Sequence, residues 1–235
     1  MSARTTIVVM AKECLPGRVK TRLHPPLTLE AAAAVAAASL ADTLEAATAT
    51  GLPVVVCAQG DVPVPAGVRS IPQETGGLDD RIAAAFDRVE GRVLLIGMDT
   101  PQIDPIRLWR MADDWPDDVD AWFGAAADGG FWLLGLDALP TGRLGGCSRG
   151  DLVRGVPMST AATGRLQRER LAGAWLRVSD APVLTDIDDI ASLYEVAPTL
   201  PPRGRLSRLL ATIPELGIDR GVDASTSGHG IRGVS

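Results

Sequence analysis

The 235-residue chain is 46% apolar and 22% charged, the balance of an ordinary globular protein long enough to bury a sizeable core. Its net charge of −6 argues against a nucleic-acid binder, because no basic face exceeds one local cluster, and no apolar run approaches the roughly 20 residues that span a bilayer. Cys14, Cys57 and Cys147 are widely spaced with no CxxC pair, and no apolar leader precedes the first strand, so the expectation is a cytoplasmic protein without a disulfide framework, structural zinc or membrane insertion.

Residues 6–10 are an apolar, β-branched run that reads as a buried first strand. It opens into residues 12–20, which carry both lysines of the chain, Lys12 and Lys20, together with Arg18. The segment continues through Arg22 and closes at Pro25 and Pro26. A strand leading into a Gly/Pro-containing loop with several cations is a common way for α/β proteins to hold phosphates. A solvated basic loop is the alternative.

Residues 28–50 predict a helix, with Thr28 as N-cap and Gly51 as its stop. Strands are expected over 53–58 and 68–72, followed by a turn over 73–77. A helix over 78–89 would place Leu78, Ile82, Ala85, Phe86 and Val89 on one face. Gly76 and Gly77 precede it, and its first turn could accept a carboxylate or phosphate.

Residues 92–97 are the clearest strand. A helix restarts with Asp104 as N-cap and Pro105 at its first position. Strands over 120–126 and 131–136 flank Asp128-Gly129-Gly130, and residues 141–155 read as a long loop. Ser159 or Thr160 can cap the next helix, and a late strand is expected over 175–178. Residues 185–189 enter a short helix through 194. One weak Arg/Leu helix follows Pro198, and then a Gly/Ser tail expected to be disordered. The alternation favours an α/β fold with a mostly parallel central sheet covered by helices on both faces. The expected boundaries are a main domain over 1–197, a helical extension over 198–212 and a tail over 213–235.

Asp99 follows a buried strand, at the carboxyl edge where α/β sheets place ligands. The i, i+2 spacing of Asp186 and Asp188 lets both carboxylates point one way in extended backbone. Three carboxylates facing a cationic loop would suit Mg²⁺ or Mn²⁺ bridging carboxylate and phosphate oxygens. Taken singly, each could instead be a helix cap or an Asx turn. Asp128-Gly129-Gly130-Phe131-Trp132 joins a flexible turn to an aromatic pair, either a wall for a ligand ring or a plain hairpin turn with core aromatics. Cys14 lies among cations that could lower its pKa, although no base accompanies it. GxSxG, GxGxxG and Walker A motifs are absent, which disfavours serine hydrolases, Rossmann oxidoreductases and P-loop NTPases.

Residues 11–23, 97–101, 127–135, 155–160 and 186–188, read in order, resemble a bacterial family labelled radical-SAM/selenodomain-associated transferase, or arsenosugar-biosynthesis glycosyltransferase. The resemblance spans roughly residues 5 to 195 and extends distantly to the 2-phospholactate and phosphoenolpyruvate guanylyltransferases. It implies a GT-A-like, nucleotide-diphospho-sugar transferase fold. It further implies a Mg²⁺- or Mn²⁺-dependent glycosyltransferase using a nucleotide sugar and a small-molecule acceptor. Nucleotidyl transfer from a nucleoside triphosphate to a phosphorylated acceptor is the alternative, and a non-catalytic nucleotide-binding module a third. By position, Lys12, Gly17, Arg18, Lys20 and Arg22 would contact phosphates, and Asp99, Asp186 and Asp188 the metal. Asp128 would be catalytic, with Gly129, Gly130, Phe131, Ser159 and Thr160 near the acceptor. Met158 and Phe131 stand where the family usually carries an aromatic residue and Tyr, which implies different acceptor contacts.

Overall fold

The computed structural model describes residues 4–218. The apolar runs become seven strands: β1 (Thr5–Lys12), β2 (Val54–Gln59), β3 (Arg69–Pro72), β4 (Arg92–Ile96), β5 (Ala121–Ala126), β6 (Phe131–Leu136) and β7 (Val178–Leu184). The helices are α1 (Leu29–Ala49), α2 (Leu78–Arg88), α3 (Pro105–Asp113), α4 (Thr163–Gly173), α5 (Ile190–Val196) and α6 (Arg205–Leu210). One sheet runs in the order β3-β2-β1-β4-β6-β5-β7. Only β6 is antiparallel to its neighbours, β4 and β5. The carboxyl ends of the other strands therefore share one edge with the start of β6.

Both faces of the sheet are covered, as the near-continuous apolar strands require. On one face α1 and α3 pack through Ala33, Ala36, Leu40, Leu108 and Met111. On the other, α2 and α4 pack through Ile82, Phe86 and Leu171 around Leu134 and Leu136. A third cluster joins Leu23, Leu27 and the far side of α1, at Ala32 and Val35, to Ile187, Leu193, Leu206 and Leu210. α1 is thus buried from two sides, and its alanines allow both neighbours to approach closely. Asp42, 6% exposed, accepts from the backbone N–H of Arg205 at 2.7 Å and Leu206 at 2.9 Å. A carboxylate on one helix so caps the start of another.

Thr28 caps α1 through the Ala31 N–H, and Asp104 caps α3 with Pro105 at its first position, both as expected. Other expectations are corrected. Leu78 is 42% exposed, because the apolar face of α2 begins one turn later. α4 starts at Thr163 and has no side-chain cap; Thr160 instead accepts from the Ala162 N–H at 3.2 Å within the preceding turn. Trp175 belongs to no strand: it is 89% exposed at φ +58°, and β7 begins three residues later because its register is set by Ala121 opposite Val178. The segment over 141–155 contains two 3-10 turns, Thr141–Leu144 and Gly150–Leu152. Leu216, 3% exposed in the 3-10 turn Pro214–Leu216, packs in the third cluster, so ordered chain continues past residue 213. Residues 219–235 of the expected tail lie outside the described residues.

Candidate active site

A cleft of about 760 Å³ lies at the shared strand edge. Four connections build it. Ala127 N–H donates to Leu184 O at 2.9 Å, joining the Asp128 turn to the exit of β7. Ile187 N–H donates to Asp99 O at 3.0 Å, holding the late aspartate loop beside the end of β4. The Ile187 side chain, 0% exposed, anchors that loop in the third apolar cluster, while Asp186 and Asp188 on either side line the cleft. Alternation of side chains in extended backbone produces this split. Ser39 Oγ donates to Met98 O at 2.8 Å, fixing the turn from the other side.

Lys20 lies at the centre. Its ammonium is 2.6 Å from Asp99 Oδ1 and 3.0 Å from Asp188 Oδ1, and its side chain is only 7% exposed. Burial alone would push this ammonium down, but Asp99 and Asp188 outweigh it and hold the group above its usual value. Lys20 also has φ 47°, a left-handed conformation that costs a non-glycine residue about 1–2 kcal/mol. The buried neighbours Val19 and Leu23, 1% and 0% exposed, fix the backbone on either side of it.

Asp186 has no such partner. Its Oδ1 is buried without a hydrogen bond. Burial, followed by the charges of Asp99, Asp128 and Asp188, pushes its pKa up to about 7, against a smaller opposing effect of Lys20. An orphaned buried carboxylate oxygen beside two further carboxylates suits a hard divalent cation. Yet among the described residues no three His, Cys, Asp or Glu side chains stand as a ready metal cage. The ammonium of Lys20 takes the place between Asp99 and Asp188. By type, the carboxylate oxygens of Asp99, Asp186 and Asp188 are the donors that Mg²⁺ or Mn²⁺ takes.

Lys12 and Arg22 are exposed and line the same cleft, as do Gly130, Phe131, Ser159 and Thr160. Gly17, Arg18 and Gly129 do not line it. Gly17, at φ +73°, follows Pro16 in a turn closed by Arg18 N–H to Leu15 O at 3.0 Å, so it shapes the loop. Gly129 is a packing residue: Gly164 N–H donates to Gly129 O at 2.8 Å, clamping the Asp128 turn to the first turn of α4. Asp128 Oδ1 accepts from Gly130 N–H at 2.8 Å, which leaves Oδ2 without a protein donor among the described residues. In the first turn of α2, Asp80 accepts from the Gly77 N–H at 3.2 Å, which occupies one of the donors a phosphate would use. Cys14 is also corrected: burial and then Asp99 push its thiol up, outweighing Lys12 and Lys20.

Three polar residues of the cleft wall were missed. Gln73 Nε2 donates to Ala11 O at 2.8 Å and Cys57 O at 2.9 Å, tying the ends of β1 and β2 together. Arg81 Nη1 donates to Gln59 Oε1 at 3.0 Å. A polar residue just after a short strand carries no local signal for such a role.

The seven-stranded sheet and its covering helices have the nucleotide-diphospho-sugar transferase fold. The structure is similar to that of a protein from Desulfovibrio desulfuricans G20 provisionally named a nucleotide-diphospho-sugar transferase, with TM-score 0.77, 24% identity, and 92% of this chain and 97% of that one covered. It is also similar to Rv0371c of Mycobacterium tuberculosis H37Rv in complex with manganese (TM-score 0.51, 20% identity, 83% and 98% covered). A third is the bifunctional IspDF of Campylobacter jejuni (TM-score 0.51, 9% identity, 84% and 54% covered). At these identities the likeness is one of fold. The chain itself belongs to the family described as "Uncharacterized protein conserved in bacteria (DUF2064)", whose model matches residues 29–160. No curated protein matches it. Among the described residues no helix is long and apolar enough to cross a membrane.

Proposed function

We propose that this chain is a Mg²⁺- or Mn²⁺-dependent glycosyltransferase using a nucleotide-activated sugar. One observation carries the reading: a single cleft holds the cations Lys12, Lys20 and Arg22 together with Asp99, Asp186 and Asp188. The manganese complex of Rv0371c, a protein of similar fold, and the family resemblance of the motifs support it. Lys12 and Arg22 would bind the donor diphosphate, and Asp99, Asp186 and Asp188 would hold the metal. When bound, the metal neutralises charge that builds on the diphosphate as it leaves.

The acceptor hydroxyl oxygen forms a bond to the anomeric carbon while the bond from that carbon to the diphosphate oxygen breaks. The hydroxyl proton passes to Asp128, and the nucleoside diphosphate leaves with the bonding electron pair. Phe131 and the loop carrying Ser159 and Thr160 border the acceptor side. Nucleotidyl transfer is the second reading. The convergence of Asp99 with the late pair Asp186 and Asp188 favours it, since the resembling guanylyltransferases use such a pair. There a phosphorylated acceptor attacks the α-phosphorus and pyrophosphate leaves.

Incubating the protein and Mn²⁺ with panels of nucleotide sugars and nucleoside triphosphates tests both. Release of nucleoside diphosphate is the expected result, and release of pyrophosphate would replace it with nucleotidyl transfer. Tight nucleotide binding without either product would leave a non-catalytic module.

Three substitutions separate binding from chemistry. Lys12→Ala and Arg22→Ala should each weaken donor binding by about 1.5–3 kcal/mol, the worth of a hydrogen bond to a charged group. Isothermal titration checks this, and unchanged affinity in both would return the loop to a solvated surface. Asp128→Asn keeps an acceptor oxygen for the Gly130 N–H and removes only the charge. Turnover should fall by about 10²–10⁴, the usual worth of a positioned general base, with donor affinity kept. Near-normal turnover would assign Asp128 to the turn alone.

A further inference from the structure

Two of the carboxylates proposed for the metal already hold a cation. Asp99 Oδ1 and Asp188 Oδ1 both contact the Lys20 ammonium, at 2.6 and 3.0 Å, and these are two of the three carboxylates that the proposed metal needs. An ammonium and a divalent ion drawn to the same Oδ1 atoms repel each other at such short range, so each weakens the other's hold on the pair. We propose that Lys20 is a resident counter-ion that competes with the divalent metal for Asp99 and Asp188, so that metal enters when a phosphate group draws Lys20 away. The proposal rests on the metal and phosphate reading of this site.

The surrounding chain supports a swinging side chain on a fixed backbone. Val19, 1% exposed, is anchored in the core beside the sheet, and Leu23, 0% exposed, in the cluster under α5 and α6. Lys20 lies between these two anchors. Its ammonium is a compact charge on a four-carbon stem with free rotation. The exposed cations Lys12 and Arg22 line the same cleft, so an incoming phosphate arrives where Lys20 can exchange one anionic partner for another. Asp186 is outside the exchange: its buried Oδ1 takes no proton donor from the protein and waits as the metal's third carboxylate. By linkage, phosphate and metal then raise each other's affinity by the same factor.

Mn²⁺ titrations of the full chain, followed by electron paramagnetic resonance without nucleotide, test the competition. Lys20→Gln should bind Mn²⁺ about tenfold or more tightly than wild type, because the competitor that lowers the competent fraction is gone. Mn²⁺ should also raise the melting temperature of Lys20→Gln more than that of wild type, whereas a purely structural lysine would leave the variant equally unstable with and without the ion. Lys20→Arg keeps the charge in a rigid fork that grips both carboxylates, and should bind Mn²⁺ more weakly than wild type. Equal affinities across the three proteins overturn the competition and leave the metal site standing. Failure of all three to bind Mn²⁺ overturns both.

The chain has only two lysines, Lys12 and Lys20, so selective ¹³C-lysine labelling gives two Cε signals, assigned with Lys12→Arg. Inorganic pyrophosphate alone should move the Lys20 signal; a shift confined to Lys12 overturns the exchange.

Discussion

Asp186→Asn should stabilise the metal-free protein at pH 8 while lowering the metal-dependent activity proposed for it. The carboxyl of Asp186 is buried, has an oxygen without a donor, and faces Asp99, Asp128 and Asp188, which together push its pKa up to about 7. The native state therefore binds its proton more tightly than the unfolded chain does. A carboxyl raised in this way supports folding fully near pH 4 and loses that support as pH rises to about 7. Asparagine cannot ionise, so the stability difference between Asp186→Asn and wild type should grow from pH 5 to pH 8, on the order of 2–4 kcal/mol. Taking the difference cancels the opposing Asp120, Asp151 and Asp189, whose hydrogen bonds with Arg177, Ser148 and Ser192 lower their pKa values. On the proposed function turnover should fall at least about 100-fold, because the metal that Asp186 would hold, and that would neutralise the leaving diphosphate, is bound less well. Thermal melts at the two pH values and a Mn²⁺-dependent assay decide it. A difference in melting temperature that does not change with pH would show that Asp186 is ionised throughout.

Gly129→Ala should be the most damaging single methyl group at the site. Gly129 has φ +91°, and a Cβ there would stand 2.2 Å from the Ala161 carbonyl oxygen and 2.8 Å from Ala161 Cα. Backbone atoms offer no rotamer through which to yield, so the Asp128 turn and the 157–164 loop must separate. Left-handed strain and overpacking add to about 2–4 kcal/mol, or roughly 5–12 °C for a chain of this size. On the proposed function donor affinity should survive in the folded fraction and turnover should not, because the cationic loop over residues 12–22 is independent of this clamp. Gly142→Ala is the matched control, with nothing within 4 Å of its new Cβ and no positive φ. If Gly129→Ala melts with Gly142→Ala, the loops are not clamped as described.

The contrast between these glycines shows where sequence reasoning stops. Both look alike in a Gly-rich chain, and only the partner loop, more than thirty positions away, distinguishes them. Strands and helices were legible because their signals are local. Apolar β-branched runs produced β1, β2 and β4, and Thr28, Asp104 and Pro105 marked the helix starts they occupy. Leu78 and Trp175 misled for the same reason, since an apolar residue at an element's edge says nothing about whether a neighbour covers it. Gln73, Gln59 and Arg81 were invisible because their contacts join separate elements: Gln73 ties β1 to β2, and Arg81 of α2 reaches Gln59 of β2.

By itself the sequence determined that this chain alternates strand and helix, that its lysines fall in one loop after the first strand, and that three aspartates lie on two other loops. Those are properties of composition and short-range periodicity, and they survive any packing of the elements. Tertiary structure alone decided that Asp99 and Asp188 meet on the Lys20 ammonium while Asp186 stays orphaned beside them. That outcome depends on the strand order and on one backbone hydrogen bond from Ile187 to Asp99. Distance between charges governs which pair forms, and no spacing along the chain encodes a distance set by folding.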